Sequence, residues 1–174
     1  MRRRTFLAAV GTAAAVGSAG CVGRAVTGID YDVGMRSDAF VPQNPVDVPD
    51  DAPHWVPADE PTVEVRVGEP LVWYNTGARN HTVTAATTND DEIYPDETGH
   101  HHTPQFPDGA AYFASGGFDT ERAAVEDFRN HLNGGGMIPP GETYEHTFET
   151  PGWYHYFCIP HRPAGMMGNV HVVD

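Results

Sequence analysis

The sequence predicts an all-β domain of two packed sheets or a barrel, and three observations carry that prediction. Apolar residues recur in short alternating runs separated by turn residues. Fifteen Pro and nineteen Gly interrupt the chain, which favours turns over a helical bundle. Only one window has a helical pattern. The 174 residues are the length of about one domain.

Taken in order, Tyr31 to Met35 alternates weakly and can open a sheet, and residues 42–61, dense in Pro and Asp, read as an extended surface segment. Residues 62–67 alternate strictly, with Val63, Val65 and Val67 on one face of a half-buried strand. Residues 71–74 form another strand, residues 75–77 break it, and residues 81–84 begin the next. Residues 142–150 place Tyr144, His146 and Phe148 on alternating positions, residues 153–158 follow a Pro-Gly turn, and residues 169–173 close the sheet. Strands this short, with turns at this spacing, suit a β-sandwich or barrel.

Between these strands lies a long segment, about residues 85–137, which at that length is functional or an added subdomain. Its helical window covers residues 120–133. Asp119 is the expected N-cap, Glu121 sits in the first turn, Ala124, Phe128 and Leu132 make a narrow apolar stripe, and Gly134 is placed to end the helix. Tyr112, Phe113 and Phe118 read as packing residues.

Acids number 24 against ten bases, every base is Arg, and from Cys21 onward only seven Arg remain. Nucleic acid is thereby excluded as a default partner, because phosphate recognition needs a basic face. An acidic surface without Lys suits a halophilic host, since carboxylates hold hydration where about 1 M salt shortens the Debye length to about 3 Å.

The N-terminus reads as an address. Arg2, Arg3 and Arg4 precede an uncharged stretch to Gly20, which is a secretory signal pattern over residues 1–20. Arg3-Arg4-Thr5-Phe6-Leu7 resembles the twin-arginine export motif. Ser18-Ala19-Gly20-Cys21 resembles a lipobox, with Ser18 where Leu is usual. Cys21 then becomes a lipidated first residue, residues 21–29 a tether, and residues 30–174 the folded domain. The only other cysteine is Cys158. An exported protein could join the two as a disulfide; if Cys21 carries a lipid, Cys158 needs another occupant for its sulfur, and a metal would serve.

The strongest local signal supports that second option. Cys158-Ile159-Pro160-His161-Arg162-Pro163-Ala164-Gly165-Met166 reads C-x2-H-x4-M after an aromatic strand. Thiolate, imidazole and thioether together favour copper over magnesium or calcium. A third equatorial ligand is required, and His81, after the turn that follows residues 71–74, is the best placed. Met167 is the competitor of Met166.

At this point the sequence resembles the cupredoxins, specifically the plastocyanin/halocyanin-like blue copper proteins. The resemblance runs through Val72 to Gly77 and Asn80 to Val83, then Pro140 to Tyr144 and Thr147-Phe148, and finally Pro151 to His161 and Gly165 to Gly168. It implies a Greek-key β-sandwich carrying the long insertion, and one type 1 copper held by His81, Cys158 and His161 with Met166 as weak axial ligand. Many such proteins carry Asn after the first ligand His, where it ties the two ligand loops; here Thr82 either makes the tie through its hydroxyl or leaves it out. Plant plastocyanins carry a surface Tyr before the ligand Cys, and here Phe157 removes that electron path.

The implied function is one-electron transfer, not enzymatic catalysis. A copper nitrite reductase would need a second copper site, and no matching histidine set is present. His161, flanked by Pro160, Pro163, Ala164 and Met167, is expected to lie under an apolar patch and to act as the electron port. The expected partners are redox proteins, with a membrane cytochrome or terminal oxidase as natural guesses, and the chain is expected to be a monomer on the outer face of the membrane, or secreted if Cys21 is unmodified. A copper carrier or storage module would use the same ligands. His100, His101 and His102 form a polar cluster read first as solvated; His155 should face away from Cys158 on its strand; His54, His131, His146 and His171 have no partner pattern.

Overall fold

The computed structural model describes residues 28–87 and 104–174. The signal segment, Cys21, most of the tether and the His100–His102 cluster lie outside the described residues.

The strands are β1 (Val33–Arg36), β2 (Ala39–Pro42), β3 (Thr62–Arg66), β4 (Pro70–Asn75), β5 (Thr84–Ala85), β6 (Thr143–Thr147), β7 (Gly152–Phe157) and β8 (Met167–Val173). Helix α1 (Glu121–Asn130) precedes β6, and a 3-10 helix (Ile159–Ala164) joins β7 to β8. They form two four-stranded sheets, β2-β1-β4-β6 and β3-β8-β7-β5. β1 runs parallel to β4 and β3 parallel to β8. Parallel neighbours cannot be joined by hairpins, and the chain changes sheet at every connection from β2 to β7, leaving β1–β2 and β7–β8 as the connections within one sheet. This is the two-layer sandwich expected from the strand spacing. β2 was not foreseen: Ala-Phe-Val-Pro has no strict alternation, and only its pairing with β1 makes it a strand.

Both sheets bury one face against the other. Val33, Met35, Leu71 and Trp73 come from the first sheet, and Tyr154, Tyr156 and Val170 from the second. Alternation along β7 sends Tyr154 and Tyr156 into this core and Phe157 to the outer face. There Phe157, Ile159 and Met167 form a second cluster with Ala86 and with Ala124 and Val125 of α1.

The long insertion is stitched into the sandwich at Phe113 and Ser115. The Ala85 N–H donates to Phe113 O at 3.0 Å and the Ser115 N–H to Val83 O at 2.8 Å, extending the sheet beyond β5. Phe113 lies in the middle of the main core, 4.9 Å from the His146 ring and 5.1 Å from Phe148 between centroids.

Helix α1 is shorter than its periodicity suggests. Thr120, not Asp119, caps it, accepting the Ala123 N–H at 3.2 Å. It ends at Asn130 because the Asp127 side chain draws the chain back, taking the Gly135 N–H at 2.8 Å and the His131 Nδ1 at 2.7 Å. A Cβ on Gly134 would collide with the Asp127 carbonyl, so Gly134 permits the reversal but lies past the helix end. Leu132 consequently falls outside the helix and is 97% exposed, and the buried face is Glu121, Ala124 and Val125. Among the described residues no helix is long and apolar enough to cross a membrane.

If the insertion is part of the core, Phe113→Ala should cost about 3–5 kcal/mol, the range for truncating a buried Phe. Denaturant unfolding of the variant checks this; a loss under about 1 kcal/mol would mean that the segment merely covers the sandwich.

Candidate metal centre

Two loops at one end of the sandwich bring the ligand candidates together. The first leaves β4 at Asn75, which is buried and organises the turn. Its Nδ2 donates to Arg79 O at 2.7 Å and to Ile138 O at 2.8 Å, while its Oδ1 accepts the Gly77 N–H at 3.0 Å. His81 then pairs with Ile138 through two backbone hydrogen bonds of 3.2 and 2.7 Å, which fixes the backbone that presents its imidazole.

The second loop begins where β7 ends. Cys158 follows Phe157, so its sulfur continues the inward series of Tyr154 and Tyr156. Pro160, early in the 3-10 helix, suits a position where no N–H is required. Gly165 ends that helix in the left-handed region at φ 83°, a conformation that favours glycine. The reversal closes a circuit of backbone hydrogen bonds: His161 N–H to Cys158 O at 3.1 Å, Met166 N–H to His161 O at 3.2 Å, and Cys158 N–H to Met166 O at 3.0 Å.

Within this frame His81 Nδ1 lies 3.7 Å and His161 Nδ1 3.3 Å from Cys158 Sγ. An ion bonded to sulfur at about 2.3 Å and nitrogen at about 2.0 Å, at a tetrahedral angle, would separate the two donors by about 3.5 Å. The observed distances bracket that value, so the three residues fit a single metal ion. The other ring nitrogen of His81, Nε2, is buried without a hydrogen-bond partner. Among the described residues, His81, Cys158 and His161 are the group able to hold a metal.

The two methionines are separated. Met166 packs in the main core with Cys158, whereas Met167 faces α1 in the outer cluster. Met167 is therefore not part of the apolar surface expected around His161. The exposed residues there are Pro163, Ala164 and Gly165, with His161 itself and Pro160 half-buried.

Thr82 makes the tie between the loops. Its hydroxyl accepts the Ile159 N–H at 2.8 Å and its own N–H points at Cys158 Sγ at 3.3 Å. Sequence reasoning left two alternatives at this position, and the hydroxyl tie is the one observed. It missed Asn75 and Ser115, whose roles rest on backbone partners distant in sequence. Ser115 Oγ accepts the Val83 N–H at 3.0 Å just behind the first loop. It also missed Arg162, which is buried with its guanidinium 5.7 Å over the Phe157 ring.

His155 faces away from Cys158, as expected, but it is buried against Asn169 Oδ1 at 3.1 Å and Glu60 Oε2 at 3.2 Å. His146 stacks on Phe113, and burial lowers its pKa. His171 lies 8° from coplanar with Trp153 and 3.2 Å from Glu64.

Burial sets the protonation of the metal-free site. It pushes His81 down to about 4, helped by His161 and Arg79. Burial also lowers His161, with Arg79 adding to the effect and Asp38 opposing it. The Cys158 thiol is pushed up to about 11 by burial, against the hydrogen bonds from Thr82 and His161. At neutral pH both imidazoles are uncharged and have lone pairs to donate, and a metal must displace only the thiol proton.

A pH window for stability follows. Below an ordinary His value of 6.5 the unfolded chain takes a proton that folded His81 refuses until about pH 4, so stability falls as pH falls through that range. Above an ordinary Cys value of 9.0 the unfolded chain releases a proton that folded Cys158 keeps until about 11, so stability falls as pH rises. Denaturant midpoints of metal-free protein should be highest between these limits, and Cys158→Ser should remove the part of the alkaline fall that begins near pH 9, leaving the part above pH 10 to which buried Tyr144 and Tyr156 contribute. Separately, Thr82→Val strands the buried Ile159 N–H and should cost about 1–3 kcal/mol, read from the same midpoints.

Residues 57–173 match the family of copper binding proteins described as plastocyanin/azurin. A plastocyanin from Scenedesmus fuscus is 31% identical over 111 residues, covering 64% of this chain and 81% of the relative. A chloroplastic plastocyanin from Tetradesmus obliquus is 27% identical over 109 residues, covering 63% of this chain and 53% of the relative. Among solved structures, a purple cupredoxin from Nitrosopumilus maritimus aligns at 20% identity and TM-score 0.36, covering 64% of this chain and 77% of that one.

Proposed function

The chain belongs to the plastocyanin/azurin family of copper-binding proteins, and from that premise we propose that it carries single electrons through one copper ion that His81, Cys158 and His161 would hold, with Met166 as a weak fourth ligand. The observation that carries this reading is the convergence of one buried sulfur and two Nδ1 atoms at single-ion distances. Copper, when bound, supplies a one-electron couple between Cu(I) and Cu(II).

The chain's own residues do the rest. The Thr82 N–H directed at Cys158 Sγ stabilises a thiolate there. Asn75 and the His81–Ile138 pairing hold the first loop, and the backbone circuit through His161 and Met166 holds the second. Donors fixed this way change little between two oxidation states. His81 and Cys158 are shut away from water, while His161 keeps an exposed edge. That edge is the port through which an electron enters or leaves. Three strong donors and a thioether leave no position for a substrate, which favours a carrier over a catalyst.

On the same reading the protein is exported by its twin-arginine leader, held on the outer membrane face through a lipid on Cys21, and exchanges electrons with membrane redox proteins such as a cytochrome or terminal oxidase. Its acidic, lysine-free composition fits a host living in high salt.

One equivalent of Cu(II) should give an intense thiolate-to-copper visible band and a narrow copper hyperfine splitting, both bleached reversibly by ascorbate. Cys158→Ser and His161→Ala should each abolish the band; a pale, ordinary Cu(II) spectrum from the unmodified protein would falsify the assignment. Fast reduction with slow removal by a chelator distinguishes an electron carrier from a copper-delivery module, which would exchange its ion readily.

A further inference from the structure

We propose that helix α1 of the insertion is a brace for the metal-binding loop, with Val125 and Phe128 acting as positioning residues for Cys158, His161 and Met166. The proposal rests on the ligand set argued above.

Cys158 and Met166 lie in the main core, and the residues beside them in sequence, Phe157, Ile159 and Met167, all lie on the opposite face. Those three side chains share one cluster with Ala124 and Val125 of α1, and Phe128 packs against it. Each anchor is one residue from a ligand, so a shift of the anchor passes to the ligand through a single rigid peptide unit. The 3-10 helix carrying His161 is held on the same side: Arg162 is buried over the Phe157 ring at 5.7 Å.

The helix is itself held. The Glu121 Oε2 at its start accepts the Thr87 N–H at 2.7 Å, just beyond β5. At its other end Asp127 gathers the Gly135 N–H. Gly135 sits in the left-handed region, and a Cβ there would come within 2.8 Å of Phe128 Cβ and 3.0 Å of Ile159 Cδ1. The insertion is pressed against the loop at that point with no room to spare.

The test uses Val125→Ala, with Phe128→Leu as a second variant should the first fold poorly. Val65→Ala, in the main core on β3 away from α1, is the control for general destabilisation. Amide hydrogen exchange of metal-free protein is followed at Cys158, His161 and Met166, and release of Cu(II) to excess chelator is timed in loaded protein. Loss of the brace should speed both by about tenfold, the lower end of the effect of removing an outer support from a metal ligand. The β8 amides of Val170 and Val172 should keep their rates, and the Val65→Ala control should leave the loop amides unchanged.

Unchanged exchange at the three loop amides, or equal acceleration in Val65→Ala, overturns the proposal, and so does faster exchange with unchanged copper release. If the unmodified protein takes up no copper, the ligand reading fails while the exchange measurement still decides whether α1 braces the loop.

Discussion

The structure turns on a sulfur atom placed where sulfur is awkward to keep. Cys158 sits inside the sandwich, and burial pushes its thiol up to about 11 against the hydrogen bonds that oppose the rise. A metal needs the thiolate, so the surroundings must favour the charged form once the proton has left. The fold answers with hydrogen-bond donors at close range and no solvent. Thr82 N–H points at the sulfur from one loop, and the His161 backbone does so from the other. The same burial keeps both imidazoles neutral and available. One constraint therefore sets the protonation of every donor in the site, and it depends on two loops staying in register with each other.

That register is distributed through the chain. Asn75 ties the first loop to Ile138 just after the insertion, the Thr82 hydroxyl ties it to Ile159 in the second loop, and Ser115 supports Val83 from behind. Further from the site, buried His155, Glu60 and Asn169 join β7, β8 and the segment before β3. A buried polar group costs about 1–3 kcal/mol if left unpaired, so each of these contacts penalises alternative packings. The insertion takes part at two levels. Phe113 fills the main core, and α1 lies on the outer face under the ligand loop.

The centre was legible because its chemistry is local. Cys158, His161 and Met166 fall within nine residues, and soft donors at that spacing can face one ion without knowledge of the fold. His81 was found through its turn context after a strand. Strands with strict alternation, such as β3, were equally plain. What escaped depends on contacts across the chain. β2 lacks a pattern of its own and exists by pairing with β1. The helix stripe was extended to Leu132 because periodicity carries no record of Asp127 bending the chain back. Thr120 and Asp119 are both good caps, and only geometry chose between them. Asn75 looked like one more turn residue, although its three hydrogen bonds hold the loop in front of His81.

Charge adds a last step. The chain carries a formal net charge of −14, which would ordinarily make contact with any partner strongly dependent on salt. The rim of His161 is different. Arg79 and Asp38 act on the imidazole in opposite directions, and the exposed residues of the ligand loop are Pro163, Ala164 and Gly165. One charge of each sign and small uncharged side chains set this part of the surface apart from the acidic composition of the chain. Contact made there must draw on shape and apolar area, which screening leaves untouched, while the acidic remainder of the surface keeps the protein hydrated. On the proposed function, solubility and recognition fall to different regions, and the second surrounds His161, the member of the metal group that reaches the surface.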